Sequence, residues 1–334
     1  MREQSVRERK RKDIFQKLLV SMWLRPERAL FDAHILEAVY HLGYPYFQGT
    51  ILEFGCLDGI PTFAMLGGKL AYTYDDYENI SRGINENKKE QRFSSKFDYY
   101  DSFDECSTTV PIESPPLQKF SYGCSYKRAH IEKSKRLNLY KVLWEQELTE
   151  ILPVTITNLD LIYAPMLFWL RSEGQLFRLM RSFNNALKSE GKVIAAFPKI
   201  PHEPYLIFKS LPNLDPAWRE IIESGIPENL TRLNMTLEQL QTVFDKTGFH
   251  LESSEEVLPT IISQIYQIGF RPFFPALLDM RERLVRVLCE REILSIKTKW
   301  IELLQDFMFP LCENSWMNAM GMQNTWRVFC LKKS

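Results

Sequence analysis

No C-x-x-C pair occurs among the six cysteines, which are scattered at Cys56, Cys106, Cys124, Cys289, Cys312 and Cys330. That scatter excludes a zinc-ribbon type of site and a disulfide scaffold, and it suits reduced thiols in a cytoplasmic protein. Charge of either sign is not in excess: 42 Lys and Arg face 42 Asp and Glu. Composition therefore points to no nucleic-acid partner and to no acidic membrane surface. The longest apolar run, Leu159 to Leu170, is interrupted by Asp160 and is too short to span a bilayer. The N-terminus is charged and carries no apolar segment of the signal-peptide kind, so a soluble protein is expected. No cluster of metal-ligand spacing and no Ser/His/Asp arrangement stands out, so no metal site is expected.

What is present centres on Thr50-Ile51-Leu52-Glu53-Phe54-Gly55-Cys56-Leu57-Asp58-Gly59. An apolar run leads into an acid, two glycines follow four residues apart, and Ile60 to Leu66 continues at helical spacing. The pattern predicts a buried strand, a tight turn and a helix opening beside it. Glycine tolerates positive φ and lets the backbone approach a ligand. A dinucleotide fingerprint needs G-x-G-x-x-G, but Leu57 and Ile60 occupy glycine places; a P-loop needs a terminal Gly-Lys-Ser/Thr, which is missing. Glu53, Gly55 and Gly59 resemble instead the acid-x-G-x-G-x-G first motif of class I S-adenosylmethionine (SAM) methyltransferases, with Leu57 at the middle glycine.

The chain on either side agrees with that resemblance in order. Met1 to Lys12 is a densely charged helix start, interrupted by glutamates in a way that argues against a nucleic-acid arm. Pro26 ends a first helix and Glu27 to Leu42 reads as a second. In the resembled family such helices often lie over the cofactor, where Trp23, Arg25 and Tyr46 could stand; plain packing is the alternative reading. The run Leu70 to Tyr74 reads as the second strand. Asp75 follows Gly55 by about twenty residues, the interval at which a βαβ nucleotide fold holds a ribose-binding acid. Residues 78–125 are polar and rich in turn formers, with Pro111, Pro115, Pro116 and Gly123, and read as an insertion.

Further on, a basic helix from Lys127 feeds a third strand, Leu137 to Leu143. The resemblance implies an adenine-binding acid or amide after it, here Glu145 or Gln146 beside Trp144. Asn158 to Leu170 resembles the fourth-strand motif, and Tyr163, Pro165 and Met166 then correspond to residues facing the transferring methyl group. The Asn/Asp-Pro-Pro-Tyr/Phe form of many amino-group methyltransferases is absent, which argues for a small-molecule acceptor. Gly174 to Leu187 is an amphipathic helix leading to a fifth strand, Val193 to Phe197, after which His202 is the one histidine placed to act as a base. Thr236-Leu237-Glu238-Gln239 is a capping box, and Gly248 stops its helix. Strands near 249–257 and 325–331 complete the set, separated by helical sequence with Leu277, Met280, Leu284, Leu288, Ile301, Leu304 and Met308 at helical intervals.

The expected fold is thus α/β: a Rossmann-like seven-stranded, mostly parallel sheet with an antiparallel last strand, plus helical insertions. Expected parts are N-terminal helices at 1–47, a SAM-binding core at 48–258 and 323–334 with its insertion at 78–125, and a helical cap at 259–322. The resemblance implies a SAM-dependent methyltransferase acting by in-line displacement, with Glu53, Gly55, Gly59, Asp75, Glu145, Gln146 and Tyr163 at the cofactor and His202 catalytic. Leu57 and the missing catalytic signature keep open a catalytically inactive binding or scaffold protein. A nicotinamide-dependent reductase lacks its glycines. Nothing in the sequence speaks to oligomeric state.

Overall fold

A computed structural model of the chain describes residues 2–75, 77, 110–165, 167, 170, 172–199, 233, 235–268, 273–313, 317 and 320–334. Seven strands form one sheet: β1 (Ile51–Phe54), β2 (Phe120–Ser125), β3 (Tyr140–Glu145), β4 (Leu159–Ala164), β5 (Leu187–Pro198), β6 (Phe249–Pro259) and β7 (Asn324–Lys333). Their order across the sheet is β3-β2-β1-β4-β5-β7-β6. The first five are mutually parallel, and β7 lies antiparallel between β5 and β6. This is the Rossmann-like layout expected from the sequence, with the strand order reversing between β1 and β4.

Side chains alternate across the pleat, so each strand feeds two cores. Ile51, Leu161, Tyr163, Ile194 and Val328 face α1 (Arg2–Ser21), α2 (Pro26–Gly43) and α3 (Ile60–Met65). Leu52, Ile162, Val193 and Phe329 face α5 (Glu173–Ala186) and α6 (Leu237–Lys246), while α4 (Arg128–Leu137) links β2 to β3. Pro26 stands at the first turn of α2, where its missing N–H costs no hydrogen bond. The charged start of the chain is helical from Arg2, and Arg7 and Arg11 both bind the buried Glu37 carboxylate of α2, at 2.6 and 2.7 Å. At α6 the capping box is formed as expected.

The second strand is not where the sequence predicts it. Only Lys69–Leu70 of that region is extended, paired with Ile112–Ser114 in a separate two-stranded ladder, and Tyr74 turns back to donate to the Ala71 carbonyl. Phe120–Ser125, inside the expected insertion, takes the place beside β1. Gly123 reads as a loop signal, yet it serves a strand. A Cβ there would stand 2.8 Å from the Tyr140 ring of β3, so glycine is what lets that ring cross the strand.

Asp75 is consequently not at the end of β2. Its carboxylate accepts from Trp23 Nε1 at 3.2 Å, from the Tyr77 amide at 3.0 Å and from Arg281 Nε at 2.7 Å. Arg281 belongs to α8 (Phe274–Val287), which with α7 (Thr260–Ile268) and α9 (Glu290–Met308) forms the helical segment between β6 and β7. The α9 side adds Lys297, donating to the Tyr74 carbonyl, and Trp300, donating to the Trp23 carbonyl at 2.9 Å. Asp75 thus ties the helical segment before β7 to the N-terminal helices.

Arg281 and Asp75 are 5% and 12% exposed, so their attraction is little screened. Asp75→Ala is expected to lower stability by about 3 kcal/mol in urea unfolding, with Arg281→Met recovering part of the loss in the double variant. Independent, additive effects of the two substitutions would disprove the coupling.

Candidate functional site

The C-terminal end of β1 meets the strand-order reversal, where open α/β sheets leave a crevice for ligands. Three residues of the following loop have left-handed backbone: Gly55 at φ +86°, Leu57 at +49° and Gly59 at +78°. Glycine accepts that conformation freely, whereas a leucine in it is strained. The loop is pinned by backbone bonds: the Gly55 and Cys56 amides donate to the Cys124 carbonyl of β2 at 3.0 and 2.8 Å, and the Gly59 amide donates to the Cys56 carbonyl at 2.9 Å. Ser134 of α4 donates to the Leu57 carbonyl at 3.3 Å, and a Cβ on Gly59 would stand 3.0 Å from its hydroxyl.

Beneath the loop, Glu53 is 2% exposed. Its Oε1 accepts from the Thr62 hydroxyl at 2.7 Å and its Oε2 from the Tyr140 hydroxyl at 2.6 Å. Burial pushes its pKa up to about 7, against the two hydrogen bonds, which favour the ionised form. Glu53 therefore acts within the protein, joining β1, α3 and β3. Tyr163 points into the same interior from β4; its buried hydroxyl has no hydrogen-bond partner of good geometry among the described residues, and burial, then the Glu53 charge, push its pKa well up.

Along the loop's outer edge Asp58 accepts from the Ile60 amide at 3.1 Å and pairs with Lys133 of α4 at 2.8 Å. Burial opposes its ionisation, but Lys133 and then His130 outweigh burial and hold its pKa below the ordinary range. On α2, Arg28 pairs with Asp32 at 2.8 Å, and the charges of both couple to Asp58. Burial raises the Asp32 pKa, with Arg28 opposing and Asp58 adding. Arg25 pairs with Glu27 and lies over the Phe274 ring at 5.3 Å. Arg28 and Asp32 escape sequence reading because, four apart, they look like an ordinary helix-surface pair.

The other expected positions are distributed as follows. β2 ends at Ser125, buried, with its hydroxyl 3.2 Å from His130 Nδ1; the strand beside β1 thus ends in a hydroxyl, whereas the spacing from Gly55 put the ribose acid at Asp75. Gln146 is buried, accepting from Trp144 Nε1 at 2.8 Å and donating to the Glu150 and Ile151 carbonyls at 3.3 and 3.1 Å. Its amide staples the turn after β3, while Glu145 is exposed. Tyr46 accepts from Lys192 at 2.6 Å beside the start of β1, away from the loop, in agreement with the plain-packing reading. His202 and Met166 lie outside the described residues. Among the described residues no His/Cys/Asp/Glu group could hold a metal ion, and no helix is long and apolar enough to cross a membrane.

No protein-family model and no curated protein matches the sequence. Solved structures with similar folds include the O-methyltransferase of a trans-AT PKS multienzyme of Brevibacillus brevis in complex with S-adenosyl-L-homocysteine: 13% identity, 95% of this chain and 80% of that one covered, TM-score 0.40. A SAM-dependent methyltransferase from Thiobacillus denitrificans, also with S-adenosyl-L-homocysteine, is 11% identical over 90% of this chain and 91% of its own, TM-score 0.41. The cyclopropane synthase MmaA2 from Mycobacterium tuberculosis is 11% identical over 88% and 84%, TM-score 0.40. At such identity, and with TM-scores below 0.5, these likenesses say nothing of what this chain does; the sheet order and the antiparallel β7 agree with the Rossmann-like, mostly parallel sheet expected from the sequence.

The raised Glu53 pKa has a stability consequence. Below its ordinary 4.5 the group is neutral folded or unfolded, and its contribution is complete; as pH rises through about 7 the folded state must bury a charge, and the contribution is lost. Relative to Glu53→Gln, the native protein is expected to lose roughly 3 kcal/mol between pH 4.5 and 8 in urea unfolding. A pH-independent difference would place the carboxylate in contact with solvent.

Proposed function

We propose that this chain binds S-adenosylmethionine at the strand-order reversal and transfers its methyl group to a small-molecule acceptor. The observation that carries this is the backbone at Gly55, Leu57 and Gly59. All three positions of the glycine motif are left-handed, the conformation those glycines exist to permit, and Leu57 holds it despite its side chain. A loop kept in that shape against a steric cost of about 1–2 kcal/mol supports a backbone role that outlasts the glycine.

The residues fit the cofactor at this loop and depart from the expected pattern at the ribose. Gly55 to Gly59 would hold it through backbone, with Glu53 positioning the loop from beneath and Tyr163 beside it on β4. Gln146 and Glu145 flank the nucleoside end. Asp75 is committed to Arg281 and Trp23, so its proposed role passes from ribose ligand to anchor of the cap. When bound, the cofactor supplies an electrophilic methyl on a sulfonium. The chain's part is to orient the acceptor, exclude water and, for a protonated acceptor, take up a proton, for which His202 is the proposed base.

Ser125 at the end of β2, where the pattern has an acid, favours a second reading: a non-catalytic binding or scaffold protein on the same fold. Titration calorimetry with SAM and S-adenosylhomocysteine is expected to show binding that Gly55→Val abolishes in a folded protein. Leu57→Gly should bind at least as tightly as the native chain, because it relieves the strained φ. Absence of binding to either nucleoside would sink the first reading. Binding without label transfer from methyl-labelled SAM to a metabolite extract would select the second.

A further inference from the structure

The two ends of the sheet are built differently. At one end β6 has a register break between Leu251 and Ser253 and a run of acid at Glu252, Glu255 and Glu256. A bulge and like charges both blunt an edge against pairing with another strand. At the other end β3 pairs with β2 alone, in unbroken register from Val142 to Glu145, and holds no proline or glycine. Among the described residues nothing bonds its outer side. Lys141, Val142 and Glu145 are exposed, Val142 by 49%, and neither charge has an ion-pair partner among the described residues. Backbone N–H and C=O groups point alternately to the two sides of a strand. The Gln146 amide donates to the Ser125 carbonyl of β2 at 2.9 Å, so Val142 and Trp144 also turn to β2, and the backbone groups of Leu143 and Glu145 point outward.

We propose that the β3 edge joins two copies of the chain, paired antiparallel about a two-fold axis that passes through Leu143 perpendicular to the sheet. In that register the edge is complementary to itself. Leu143 faces its own copy and exchanges both outward backbone hydrogen bonds with it. Val142 faces Trp144 of the other copy at a site without such bonds, where side chains stand closest, and a β-branched residue against an aromatic one is a favourable cross-strand pair. Lys141 faces Glu145, once on each side of the axis, so the lysine that would guard an isolated edge is answered by a carboxylate. Moving the axis to Val142 would set Lys141 against Leu143 and lose both ion pairs. Charge complementarity thus selects a second copy as occupant, and this register for it. The assembly closes at two: each copy uses its β3 edge, and the β6 edges that remain are bulged and acidic.

Sedimentation equilibrium of the full chain at tens of micromolar, with no nucleoside added, is expected to give twice the 39.4 kDa chain mass, without growth to larger assemblies at higher concentration. Lys141→Glu should halve that mass with an unchanged circular dichroism spectrum, because it sets two carboxylates against each other on each side of the axis. Lys141→Glu combined with Glu145→Lys puts opposite charges back in the same register and should restore the dimer, a rescue that loss of folding would not produce. His250→Glu, exposed on the opposite edge strand β6, should leave the mass unaltered. A native chain that sediments as a monomer overturns the proposal, as does a dimer that persists in Lys141→Glu or a doubly exchanged chain that stays monomeric. These masses are read without cofactor, so their failure is distinct from a failure to bind SAM.

Discussion

The Glu53 carboxylate, closed off from water between the hydroxyls of Thr62 and Tyr140, is the constraint around which the site is built. It joins the end of β1 to the first turn of α3 and to the start of β3, so the loop between β1 and α3 has both its flanks fixed. A buried acid whose burial opposes ionisation is a costly tie, and its two donors are what make it tolerable. With the flanks held, the loop has little freedom left, and Leu57 is carried into a conformation that a leucine would otherwise avoid. Strain at a non-glycine residue persists only when its surroundings overdetermine the backbone.

A second tie closes the site from the other side. Asp75 accepts from Trp23 and Arg281, Lys297 reaches the neighbouring Tyr74 carbonyl, and Trp300 reaches the Trp23 carbonyl. The helical segment before β7 is thereby fastened to the junction of α1 and α2. The same junction presents Arg25, Arg28 and Asp32, and Arg28 and Asp32 are electrostatically coupled to Asp58 in the loop. The helical segment before β7 and the N-terminal helices are therefore joined, and α2 carries the charges that reach the glycine loop.

Much of this was legible in order along the chain. The turn after β1, the amphipathic α5, the capping box of α6 and the final strand each announce themselves within a dozen residues, because caps, glycines and apolar periodicity act locally. β2 did not, since Phe120–Ser125 holds a glycine and two serines and sits among prolines. Its strand identity comes from the Tyr140 ring crossing Gly123, a contact with a neighbouring strand.

Sequence alone, then, determined most element types, β2 excepted, together with the glycine loop and the parallel sheet ending in an antiparallel strand, all consequences of short-range sterics and hydrophobic pattern. Tertiary structure decided what the charged residues do. Asp75 lies at the spacing of a ribose ligand, yet its partner Arg281 stands 206 residues away, and no local rule reaches that far. Glu53 reads as a strand-end acid offered to the cofactor, yet its carboxylate accepts from Tyr140, 87 residues on. An ionised group in a protein interior must find a partner wherever the fold brings one, and that choice belongs to packing.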